Sequence, residues 1–314
     1  MRKLSVDFLK ALKDRSGVLN PILERVKMDD TLMLAIREGY INIYYRGGNL
    51  LRISPGKHGK IDYEAHFDKK YDDSNQHRVF QNLRLPAVIM SQAESRSWVS
   101  CVPMLKEIMD FWFCKHPKHE REFQQIVARE NNRSPISQST EYFITDIEYA
   151  VEKPRARFDM LAVHWPAGEN GNECRAALIE MKYGDSAIAG KAGLIKHLKD
   201  INAFLSDKQK HKELLQTIEA QFEQLAGLGL IRHKECATGS KIQLNKYPKP
   251  QFIFLLANHN PRSSRLKTLL KDPEVRNHAA SKLFDLRFFV SSDAGYGMYT
   301  DRMLNYRRYL KRLE

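Results

Sequence analysis

RAALIEMKYG, residues 175–184, begins as a small apolar strand and ends in charge. Side chains alternate along a strand, so Leu178, Glu180 and Lys182 share one face while Ala177, Ile179 and Met181 share the other. Glu180 and Lys182 then stand roughly 6–7 Å apart along the strand. Charge at the end of a buried strand costs stability unless it is paired or used. The neighbouring segments decide what it is for.

RFDMLAVHW (157–165) reads as a second strand, with Asp159, Leu161 and Val163 on one face. Between the two lies PAGENGNE (166–173), dense in Pro, Gly and Asn, which reads as a hairpin loop. A loop centred near residues 169–170 sets Asp159 opposite Glu180, roughly 5 Å away by ordinary cross-strand spacing. Two facing carboxylates repel unless a positive charge lies between them. Mg²⁺ meets that need: it takes one or two carboxylates, keeps several waters and leaves room for phosphate oxygens. Lys182 beside it would polarise or help deprotonate an attacking water and stabilise phosphate charge. The plainer reading of Glu180-Met181-Lys182 is an ion pair on a solvated strand end, with Asp159 a turn residue.

Around this core the chain reads as an α/β protein. PMLKEIMDFWFC (103–114) is expected to be a buried helix and HEREFQQIVARENN (119–132) a second, with Phe123, Ile126 and Val127 as its apolar stripe. YFITDIEYAV (142–151) is a third strand beside the hairpin. GLIKHLKDINAFL (193–205) keeps Leu194, Ile195, Leu198, Ile201 and Leu205 in helical register, and a charged helix follows over about 207–226. QFIFLLAN (251–258) is a continuous apolar run, the pattern of a strand buried on both faces. LFDLRFFVSS (283–292) is a further strand, and DRMLNYRRYLKRL closes the chain as a basic helix. A mixed sheet with helices on both sides accounts for this order.

The N-terminal part differs. Residues 4–28 read as two short helices interrupted at Gly17 and Pro21. TLMLAIREGYINIYYRGGNLLRIS (31–54) alternates β-branched and aromatic residues around Gly47-Gly48, a hairpin signal, and KIDYEAHFDKKY adds another strand. Its Tyr40, Tyr44, Tyr45, Arg46 and Arg52 either meet nucleic acid or cover a half-buried sheet. Residues 1–100 are thus expected to form an accessory α+β region for recognition, dimerisation or docking, and 101–314 the main domain.

The 314 residues carry 51 Lys+Arg against 38 Asp+Glu, a net charge of +13, which favours a polyanionic partner. The basic residues are spread along the chain, so a binding surface must be assembled by folding. No apolar run is long enough to cross a bilayer, and MRKLSVDFLKALKDRSG reads as an amphipathic helix without a signal-peptide core. A cytoplasmic protein without membrane partners is expected. Cys101, Cys114, Cys174 and Cys236 form no CxxC pair, which argues against a zinc ribbon and suits a reducing compartment.

The segments FDMLAV and ALIEMK, with the order of elements around them over roughly 103–292, resemble the PD-(D/E)XK, or restriction-endonuclease-like, nuclease superfamily. Phe158 stands where the family name has proline, a position that varies in the superfamily. The resemblance implies a restriction-endonuclease-like mixed sheet flanked by helices. It further implies a metal-dependent nuclease cleaving DNA phosphodiester bonds in restriction, repair or anti-phage defence. Asp159, Glu180 and the backbone carbonyl of Met181 would hold Mg²⁺, or Mn²⁺ in its place, and Lys182 would be the catalytic lysine. The family often adds a glutamate from the helix before the sheet; Glu120 is the first choice and Glu130 the second. DNA is favoured over RNA as substrate, and a homodimer or partner subunit fits the accessory region. The alternative is a non-catalytic nucleic-acid-binding module or subunit with a nuclease-like fold.

GDSAIAGKA (184–192) lacks the Walker A spacing, so it is not read as an ATP loop. It links strand to helix beside the site, where Lys191 and Lys196 either meet the phosphate backbone or stay solvated. Arg262 and Arg265 in PRSSRLKTLLK are candidates of the same kind. CKHPKHE (114–120) is read as a loop opening a helix rather than a metal cluster. His164, His197 and His259 have no nucleophile evident in the sequence.

Overall fold

Alternation and turn chemistry shape the N-terminal sheet. In the computed structural model β1 (Leu32–Ile36), β2 (Ile41–Tyr45), β3 (Gly48–Pro55), β4 (Tyr63–His66) and β5 (Val88–Ile89) pair in chain order as an antiparallel meander. The β2–β3 turn is Arg46-Gly47, with Tyr45 opposite Gly48. Both turn residues have positive φ, 49° and 71°, as a two-residue turn of this hand requires. Gly47 has a second reason to be glycine, because a Cβ there would lie 2.4 Å from the Cβ of Arg121. The structure describes residues 1–313 except 57–61, 72–82, 84, 152–155, 167–172, 191–192, 233–241 and 261–263.

Helices α1 (Val6–Lys13), α2 (Asn20–Met28) and α3 (Gln92–Lys115) pack with this sheet, burying Phe8, Ile22, Leu23, Trp98, Leu105, Met109 and Phe113. α3 starts eleven residues before the expected 103, at a capping box in which Glu94 accepts from the backbone N–H of Ser91 at 2.7 Å. Pro103 lies inside the helix rather than at its start. The basic and aromatic side chains of the sheet serve one another: Arg52 lies over Tyr40 at 4.1 Å, Arg37 donates to Tyr44 Oη, and Arg46 pairs with Asp110 and Glu122.

The second sheet carries the hairpin read from the sequence. β6 (Tyr142–Val151), β7 (Ala156–His164) and β8 (Arg175–Tyr183) run antiparallel; β8, β9 (Gln251–Ala257) and β10 (Asp285–Val290) run parallel; and β11 (Leu304–Asn305) pairs antiparallel with β10. The two parallel steps need crossovers. α5 (Leu194–Ser206) and α6 (Lys208–Gly227) lie between β8 and β9 in the chain; α7 (Ser264–Leu270) and α8 (Pro273–Ala279) lie between β9 and β10. Every residue of β9 is buried, as its apolar run predicts. Phe204 of α5 packs edge-on to Phe158, and Phe222 of α6 meets Phe143 and Trp165. The short α9 (Ser291–Ala294) and the basic α10 (Tyr306–Arg312), which buries Tyr309, complete this part. The protein is therefore mixed α/β with two sheets.

The chain divides into two units, residues 2–125 with 224–230, and residues 126–223 with 231–314. The division falls inside α4 (His119–Asn132), later than the expected boundary at 100, because α3 packs with the first sheet. Gln224 is tied to the N-terminal unit, exchanging two hydrogen bonds with the backbone of Leu4. Among the described residues no helix is long and apolar enough to cross a membrane.

Candidate active site

The hairpin register is the one the loop position predicts: Met160 pairs with Ile179, Leu161 with Leu178 and Ala162 with Ala177. The ladder ends there, one residue short of an Asp159–Glu180 pair. Asp159 instead turns its carboxylate onto β8, where Oδ2 accepts from the backbone N–H of Met181 at 2.9 Å. The carboxylate of β7 is thus fastened to the peptide unit that follows Glu180 on β8.

Glu180 and Lys182 share a face, as alternation requires, and their side chains are only 5 % exposed. Lys182 Nζ donates to Glu180 Oε1 at 2.6 Å. The pair is not on a solvated strand end; it is inside the protein. A third group completes it: His197 Nε2 lies 2.9 Å from the same Glu180 oxygen and 3.2 Å from Lys182 Nζ. That nitrogen donates to Glu180 in one tautomer or accepts from Lys182 in the other. The sequence offers His197 no nucleophile to serve, but its place in the helix carries a signal. It stands three residues after Leu194 and four before Ile201, on the apolar stripe of α5.

The donors fit a hard divalent cation by type, being two buried carboxylates and the Met181 carbonyl, all oxygen. Among the described residues no group of three or more His, Cys, Asp and Glu side chains is arranged to hold a metal. Mg²⁺ does not need one, since it commonly uses one or two carboxylates and keeps its waters. The Lys182 and His197 contacts of Glu180 both fall on Oε1, so Oε2 is its oxygen for a ligand role.

The remaining expected residues distribute unevenly. Glu120, on the first turn of α4, belongs to the N-terminal unit and is not among the residues the second unit brings together. Glu130 lies in the second unit but pairs with Arg129 at 2.8 Å. Asp146 on β6 is a fully buried carboxylate whose oxygens accept from Ile147 N–H and Gln221 Nε2, a structural use. Lys196 pairs with Asp200 one turn along α5, and Arg265 is exposed on α7. Lys191, Arg262 and Cys236 lie outside the described residues. Nothing among protein-family models, curated proteins or solved structures matches this chain.

Proposed function

We propose that the protein is a metal-dependent nuclease of the PD-(D/E)XK type that hydrolyses DNA phosphodiester bonds. The observation that carries the reading is the buried Glu180–Lys182 pair with the Asp159 carboxylate anchored beside it on Met181. Burying two charges within one strand segment is expensive, and removing either leaves the other uncompensated. Such a pair suits a site where a phosphate and its counter-ion are handled.

Asp159, Glu180 and the Met181 carbonyl would hold Mg²⁺, which when bound supplies charge for the phosphate and lowers the pKa of a bound water. Lys182, a donor of three protons with no lone pair while it serves Glu180, stabilises negative charge developing on a phosphoryl oxygen. His197 keeps the Glu180 carboxylate and the ammonium in register. The net charge of +13 supports a nucleic-acid partner through phosphate contacts.

The test is cleavage of plasmid, linear and single-stranded DNA and of RNA in Mg²⁺, Mn²⁺ or EDTA. Metal-dependent cutting of DNA by wild type is expected, falling by on the order of 10³-fold in Glu180→Ala and Asp159→Ala with folding retained by circular dichroism. Wild-type rates in both variants would sink the assignment. Salt-sensitive binding with no cutting under any metal would replace it with a non-catalytic binding module.

A further inference from the structure

Three residues beyond Lys182 on β8, and two beyond the end of β9, stand Asp185 and His259. The two parallel strands end level, with Tyr183 opposite Ala257 and Gly184 N–H bonded to the Ala257 carbonyl at 2.8 Å. Each chain then turns at a residue of positive φ, Gly184 at 74° and Asn258 at 50°. The turns bring His259 Nδ1 to 2.6 Å from Asp185 Oδ1, which also accepts from Asn260 N–H. The His259 side chain is 4 % exposed, and its Nε2 has no hydrogen-bond partner among the described residues. A buried ring nitrogen without a partner costs stability and calls for an explanation, of which a catalytic role is one. In open α/β sheets ligands bind outside the carboxyl ends of the parallel strands, and Lys182 and this dyad share that end.

A carboxylate only accepts, so Nδ1–H donates to Asp185 and Nε2 carries the lone pair, as in a histidine oriented for proton transfer by a carboxylate. Among the described residues of the candidate active site no other side chain is free for that role. Lys182 is an ammonium donor to Glu180, and the Nε2 of His197 is committed to Glu180 and Lys182.

We infer that His259 is a catalytic residue of the same site, its Nε2 taking a proton from the water that attacks phosphorus, with Asp185 as its positioning residue. This rests on the phosphodiesterase reading. The water oxygen bonds to phosphorus, and the bond from phosphorus to the departing oxygen breaks with its electron pair on that oxygen. One water proton goes to Nε2 and on to solvent, and the departing oxygen takes up a proton from solvent.

The experiment compares wild type, Glu180→Ala, Asp185→Asn, His259→Asn and His259→Ala in single-turnover DNA cleavage with Mg²⁺. His259→Asn keeps a donor for Asp185 and removes the Nε2 lone pair. A loss of roughly 10²–10⁴-fold in rate is expected for both His259 variants. Duplex binding in EDTA and melting temperature should stay near wild type. Added imidazole should restore part of the rate in His259→Ala and none in Glu180→Ala. Asp185→Asn should slow the step in the same direction without weakening binding. His259→Asn cutting within about threefold of wild type, below the smallest effect of a lost proton acceptor, overturns the inference and leaves the nuclease standing. So does a loss that imidazole does not rescue and that comes with lowered melting temperature. No cutting by wild type overturns both.

Discussion

At the scale of single residues the defining feature is charge placed where solvent does not reach. Asp159, Glu180 and Lys182 are each no more than 5 % exposed. Two buried charges recover their desolvation cost only with good geometry, and an apolar or neutral replacement of both is often as stable. Removing one partner is different, because the other charge stays buried and unpaired. Lys182→Ala is therefore expected to lower unfolding free energy by roughly 3–5 kcal/mol in urea titration, whereas the double change Glu180→Gln with Lys182→Met should stay within about 1 kcal/mol of wild type. A double variant as unstable as Lys182→Ala alone would mean that the pair is a structural strut. The alternation of one strand was enough to group Glu180 with Lys182, and the composition of one loop was enough to bring Asp159 to the same end. His197 and the Asp185–His259 dyad were harder to see. Their partners lie on elements whose relative placement depends on helix packing and on two left-handed turns, and no local period encodes either.

At the scale of elements, the segments with a clean period were legible almost to the residue: β6, β8, α4 and β9 match the expected ranges within one position. The start of α3 is hidden because Pro103 imitates an opening signal, while the true start at Ser91 lies in a polar stretch and is marked only by its capping box with Glu94. The ends of the strands also divide the labour of the second sheet. The dyad and Lys182 occupy the carboxyl ends of β8 and β9; a closed polar network occupies the other. There His164 stacks on Tyr142 at 4.4 Å, meets Thr300 Oγ1 at 2.9 Å and accepts from Arg175 Nε, while Arg175 pairs with Asp285. Burial first, then the charge of Arg175, push the His164 pKa down to about 3 from its ordinary 6.5. The folded state therefore holds His164 neutral where the unfolded chain protonates it. That stabilisation is complete above pH 6.5 and is lost progressively as pH falls towards 3. Urea unfolding between pH 7 and pH 4 should show a wild-type stability slope that exceeds that of His164→Asn by up to about 1.4 kcal/mol per pH unit. Equal slopes would mean that this end of the sheet admits water and the imidazolium.

At the scale of the whole molecule, the charge of +13 makes a demand that does not depend on any single side chain. If the partner is a nucleic acid, binding releases counterions, and log K falls linearly with log salt at a slope of about −0.9 for each phosphate neutralised on duplex DNA. Anisotropy titration of a labelled duplex in EDTA, from about 50 to 200 mM NaCl, should lose roughly 10³-fold or more in affinity if six or more phosphates are met. Metal is left out so that turnover cannot distort the measurement. The slope also sorts the basic residues. Arg265→Ala should reduce it by about 1 if that side chain meets a phosphate. Lys196→Ala should change it less, because the ammonium already sits against Asp200 on α5. A flat salt response would remove nucleic acid as the partner whatever the fate of the Asp159 and Glu180 variants. A steep response that survives Glu180→Ala would separate holding the polymer, a property of the assembled basic surface, from cutting it, a property of one strand end.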